Sequence, residues 1–280
     1  MTTTLLKHEF IRTRSLLGQY FALATLVVLA GTLLAFFNWP VLGPLGAIVS
    51  VLTIVSLVPV LHLLLGWDYW RSSYRGSGYL THSIPVRGSR IFWTKLLWAV
   101  IVTLVALAVC VLLAAILWPA VARNPDFASD VGPNPSPNLF VVIGELWALA
   151  TQFIPTGLLV TLLIAAFALI LVAPIEYFFA ASVGSESRFA KLGAGGPFLV
   201  FVLMYVATQA LMFASFFAIP FGLGPTENGK LGIIHIDTTA AMEADQLNAA
   251  PLGFFVSMVL MCAFCLWRTH RSWNEKVSLT

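Results

Sequence analysis

Six apolar stretches, each about as long as a lipid bilayer is thick, constrain this chain more than any other feature. A hydrocarbon core about 30 Å thick needs roughly 20 predominantly apolar residues per helix. Runs of that kind occupy residues 16–37, 45–66, 96–118, 155–174, 197–221 and 251–267. With 59% hydrophobic and 10% charged residues and a mean hydropathy of +0.92, no soluble core could hide the apolar surface. The expected fold is an all-α membrane protein with six transmembrane helices, laid out as one domain over residues 1–280.

Fixed charge supplies an orientation. Of the fifteen Lys and Arg residues, Lys7, Arg12 and Arg14 precede the first span, and Arg71, Arg75, Arg87, Arg90 and Lys95 separate the second and third. Arg188 and Lys191 separate the fourth and fifth, and Arg268, Arg271 and Lys276 follow the sixth. Arg123 and Lys230 alone fall on the other side. The positive-inside rule then places both termini in the cytoplasm. Topology and anionic inner-leaflet lipid account for the net charge of +3, so nucleic acid is not called for as a partner. The first run lacks a small-x-small cleavage site and is expected to stay as an anchor. Ahead of it, Leu6, Phe10 and Leu17 recur at near-helical spacing among Lys7, Arg12 and Arg14, which predicts an interfacial amphipathic helix over 1–15.

Proline and glycine in 38–44 join the first two spans by a short turn. The longest polar segment on the cytoplasmic side covers 67–94, and outer loops are expected at 119–153 and 222–250. Residues 139–183 are almost unbrokenly apolar, and one straight helix of that length would measure roughly 65 Å. The run therefore has to break, and Pro155 and Pro174 are the expected places. The mixed pattern of 222–250 suggests short helices at the outer surface.

Several patterns imitate chemistry. Gly224 to Leu231 matches a phosphate-binding loop except for its last position, where Leu231 stands in place of the Mg²⁺-holding Ser or Thr. Cys262 and Cys265 form a CxxC inside an apolar span without a second ligand pair, so small packing residues are the better reading. Cys110 also lies in a span, which leaves no disulfide for the outer loops. The five histidines are scattered and no HExxH occurs. The inner-side acids are too separated for the clustered aspartates of a membrane phosphotransferase. No catalytic, cofactor-binding or metal-binding residue is expected in this chain, and it is not expected to be an enzyme.

His62 and Glu176 are the ionisable groups closest to lipid depth, where charge is costly and so a functional suspect. For both, a neutral or interface-seeking side chain is the simpler reading. The fifth span carries Tyr205, Gln209, Met212, Phe213 and Phe216, a candidate route for an apolar or amphiphilic solute. Lipid-facing packing explains the same residues. In the segment after span two, a short helix with Trp70, Tyr74 and Tyr79 as apolar anchors and Arg71 and Arg75 as rim could dock in a groove of a soluble partner.

The run Gly78-Tyr79-Leu80-Thr81-His82-Ser83-Ile84-Pro85-Val86, with Lys95 at the head of span three, resembles the cytoplasmic loop of ABC transporter permeases of the type-2 export class. The layout of six spans with both ends inside is similar to that family. Gly78, Tyr79, Leu80 and Pro85 carry the likeness. It implies a half-transporter: two identical or paralogous permease subunits in a bacterial plasma membrane, each bound to a separate ABC subunit that holds ATP and Mg²⁺. A coupling helix between spans two and three would move with nucleotide-driven closure. The implied cargo is a drug, peptide or lipid-like solute moved outward. Two other classes share the topology: a proton-linked secondary carrier built on His62 and Glu176, and a non-transporting immunity or scaffold subunit.

Overall fold

A computed structural model describes residues 2–37, 39–75, 78, 85–123, 136–226, 228–237 and 249–275. The helices are α1 (Thr2–Phe36), α2 (Leu42–Tyr74), α3 (Gly88–Val121), α4 (Leu139–Phe153), α5 (Thr156–Val172), α6 (Pro174–Gly184), α7 (Gly195–Ala218) and α8 (Gly253–Glu275). Six crossings are long and apolar enough to span a bilayer, the fourth made by α5 and α6 together. Leu23, Leu52, Leu112 and Ile164 are each between 62% and 64% exposed. An apolar surface so extensive belongs in lipid. The chain is a multi-pass helical membrane protein.

Both expected proline breaks are present, because proline offers no amide hydrogen and crowds the preceding turn. α4 stops at Phe153 ahead of Pro155, and Pro174 opens α6. Ala173 keeps helical angles of −52° and −37°, so the crossing carries on through the second break. α5 buries none of its residues, as suits a helix bathed in lipid.

Three segments differ from their sequence reading. The interfacial helix expected over 1–15 is not separate: from Thr2 on α1 runs unbroken, since neither proline nor glycine stands before Gly18 to interrupt it. The polar segment assigned to 67–94 is narrower, because α2 continues to Tyr74 and α3 begins at Gly88. The loop at 222–250 holds strands where short helices were expected: β1 (Phe221–Pro225), β2 (Leu231–His235) and β3 (Ala250–Pro251), in the antiparallel order β2-β1-β3. Leu223 faces Ile233 across the hairpin, and Gly229 takes the positive φ of 74° that its turn needs. The phosphate-loop look-alike is this hairpin, and a strand follows its Lys230 where a phosphate loop would start a helix.

The chain, expected as one domain, falls into two compact units, Met1–Leu64 with Thr94–Ala148, and Leu65–Trp93 with Leu149–Thr280. In the first unit small residues bring α1 and α2 together. A Cβ on Gly46 would lie 2.5 Å from the Gly31 carbonyl oxygen, and the Ser50 hydroxyl donates to Gly46 O at 2.8 Å. Lipid offers helices no hydrophobic drive to associate, so close backbone approach of this kind is what holds them. Gly46→Leu is expected to cost about 1–3 kcal/mol, read as a lowered unfolding midpoint in detergent. Gly144→Leu, where the added carbon meets open space, should leave the midpoint in place.

In the second unit α6 packs against α7 and α8, and α7 against α8. Gly184 and Gly196 let α6 and α7 meet backbone to backbone: a Cβ on Gly184 would fall 2.5 Å from the Pro197 Cα.

Candidate functional site

At its far end α2 buries the polar aromatic Tyr69, only 1% exposed. Its ring stacks on Phe178 of α6 at 4.0 Å and 8° between planes. A phenol in such a place has to bond its hydroxyl. Trp273 Nε1, near the end of α8, donates to Tyr69 Oη at 2.6 Å, and Ser182 Oγ of α6 lies 2.7 Å from the same oxygen. Tyr74, one turn further along α2, has its ring 6.0 Å from that of Trp273.

One turn along, the unit closes a buried ion pair. Arg268 Nη2 reaches Glu186 Oε1 at 2.6 Å and Oε2 at 2.7 Å, and Ser272 Oγ donates to Oε1 at 2.9 Å. Arg268, Ser272 and Trp273 come from successive turns of α8, so this one helix end holds both Tyr69 and the segment after α6. Gly88, the first residue of α3, abuts it too: a Cβ there would sit 2.6 Å from the Trp273 carbonyl oxygen. Tyr74 at the end of α2 and Gly88 at the start of α3 thus both adjoin Trp273.

The residues expected to dock a partner are distributed differently. Trp70 is buried and Tyr74 half-buried, because aromatic rings at the end of α2 fill the interior of the unit. Neither ring is presented as an outward anchor. Arg71 and Arg75 are exposed. Arg75 places Cζ 5.1 Å from the Trp70 ring and lies against Gly193, whose φ of 55° is left-handed. Gly78 is buried and Pro85 exposed. Tyr79 and Leu80 lie outside the described residues. Of the candidate solute route, Tyr205, Gln209 and Phe213 share an exposed face of α7, Met212 is half-buried, and Phe216 turns inward at 8% exposure. The five residues do not form one surface.

In the first unit His62 is buried, with Nε2 3.1 Å from Thr103 Oγ1. Thr103 spends its own proton on Ala99 O at 2.8 Å. Its oxygen therefore accepts from His62, which fixes the tautomer with hydrogen on Nε2. Glu9 pairs with Arg12 and, at 3.0 Å, with the buried Lys95 of α3, and Trp98 Nε1 donates to Thr13 Oγ1 at 3.1 Å. These contacts tie the first turns of α1 to the third crossing. Glu176 is half-buried in the second unit. Cys265 Sγ lies 3.8 Å from Met204 Sδ between α8 and α7, a packing contact, and all three cysteines are free. Among the described residues no cluster of three or more His, Cys, Asp or Glu could hold a metal ion.

Sequence reasoning missed Tyr69, Ser182, Ser272 and Trp273, and left Glu186 and Arg268 unpaired. The aromatic density of Trp67-Asp68-Tyr69-Trp70 and the cation in the last turns of the final span were the available signals.

A buried hydrogen-bonded clamp thus joins the end of α2 to α6 and α8. Comparison with known protein families, characterised proteins and solved structures finds no match for the chain.

Proposed function

We propose that the chain is the permease subunit of an ATP-driven exporter, working with a second permease subunit and with separate ATP-binding subunits on the cytoplasmic side. The observation that carries this reading is the clamp. The end of α2 and the first residue of α3 both adjoin Trp273, itself bonded to Tyr69, so a displacement carried by those helix ends would reach α8. That is what a coupling element has to do. Rigid-body motion between access states follows from such a connection. The basic residues around it, Arg71, Arg75, Arg87, Arg188 and Lys191, are exposed and form a rim for an acidic partner surface. The cargo is a hydrophobic or amphiphilic solute, in keeping with the apolar face of α7. His62, with its ring nitrogen held by Thr103, lends nothing specific to a proton-linked carrier.

The test is co-purification in mild detergent from a host that supplies the native neighbours, followed by an ATPase assay. A stoichiometric P-loop ATPase that is lost on Tyr79→Asp with Leu80→Asp, while the protein still inserts, supports the reading. A permease that purifies alone, or an ATPase unaffected by those changes, overturns it.

A further inference from the structure

Arg75 is held in place on two sides, yet its charge is unused within the chain. Its guanidinium carbon lies 5.1 Å from the centre of the Trp70 ring, which supports one face of the cation. Its Nη2 fits against Gly193 only because that residue, at a left-handed φ of 55°, carries no side chain: a Cβ there would stand 2.8 Å from the nitrogen. Among the described residues no carboxylate or carbonyl meets this guanidinium, and the residue is exposed. An arginine has five N–H donors in a flat fork that matches the oxygens of a phosphate. Ring contacts set its depth. Trp70 touches Trp67, with centroids 5.0 Å apart, and Trp67 is 56% exposed. Tryptophan with an exposed ring at the end of a span sits at headgroup level. Lys191, two residues before Gly193 in a short 3-10 turn, adds a second exposed cation.

We propose that Arg75 and Lys191 form a binding site for the phosphate of an anionic phospholipid in the leaflet that adjoins this end of α2, with the acyl chains running past Trp67. The phosphate follows from the geometry. A guanidinium fixed flat on a ring has already lost the freedom that binding would take from it, and it offers a fork rather than a point charge. Lipid rather than soluble phosphate follows from Trp67, because an interfacial ring beside the cation is where headgroup and acyl chain meet. The site goes beyond the exporter reading and stands whether or not an ATP-binding subunit is present. It gives Arg75 a membrane-side role within the exposed basic rim.

The full chain, purified in mild detergent, is titrated with dioleoyl phosphatidylglycerol, with dioleoylglycerol, which has the same chains and no phosphate, and with inorganic phosphate. Native mass spectrometry counts what stays bound. Phosphatidylglycerol is expected to bind about tenfold or more tighter than dioleoylglycerol, the worth of a charge-assisted hydrogen bond, and Arg75→Gln to remove that advantage. Arg75→Lys keeps the charge and gives up the fork, and Gly193→Ala keeps every charge and pushes the guanidinium aside. Each should weaken phosphatidylglycerol by about threefold or more. Arg87→Gln, which removes an equal charge from an exposed position beside α3, should stay within about twofold. Unfolding midpoints, expected to match the parent's for changes at the exposed Arg75, confirm that the variants compared are folded. Equal weakening by Arg87→Gln, an Arg75→Lys as tight as the parent, or inorganic phosphate bound with phosphatidylglycerol no tighter overturns the proposal.

Discussion

Glu186→Ala is expected to lower the unfolding free energy by about 3 kcal/mol, the low end of the cost of stripping one partner from a buried ion pair. The lower figure applies because the Arg268 side chain keeps 18% of its exposure and water can shield part of the orphaned charge. Ser272 would lose its acceptor as well. The readout is the thermal unfolding midpoint of detergent-purified protein. Replacing both members, Glu186→Met with Arg268→Met, should recover most of the loss, since two apolar groups of similar volume need no partner. A single variant as stable as the parent would show that the pair is solvated and not structural.

Trp273→Ala carries the second large effect. Removing a large side chain that is 4% exposed leaves a cavity beside Tyr69 and costs about 3–5 kcal/mol. Trp273→Phe separates packing from bonding: the ring stays, the Nε1 hydrogen bond to Tyr69 goes, and the cost should be about 1 kcal/mol. If the clamp couples partner to helices, Trp273→Phe protein will still capture the ATPase while solute-stimulated hydrolysis falls. Unchanged stimulation would confine Trp273 to a stabilising role.

The proline breaks and the spans themselves were legible because both are local. Pro155 and Pro174 act on their own turns, and a run of apolar residues declares its solvent without reference to the rest of the chain. The hairpin was legible too and was passed over. Asn228-Gly229 between Phe221–Pro225 and Leu231–His235 is a strong short-range turn signal, obscured by the likeness of the same residues to a phosphate loop. The ion pair was half legible: Glu186 and Arg268 were both visible as inner-side charges, yet nothing along 82 intervening positions says that they meet.

By itself the sequence determined the solvent and the number of crossings, because hydropathy is a sum over neighbouring residues and a bilayer sets the length of that sum. The tertiary structure alone decided what the polar minority does. Tyr69 and Trp273 are 204 positions apart, and they meet only because α6 and α8 pack at the end of α2. Burial then took Trp70 from an apparent docking anchor into the interior and left Tyr74 half-buried. In a chain this apolar, the few groups that need a hydrogen bond take whichever partner packing brings to them, and packing is not written at any one position.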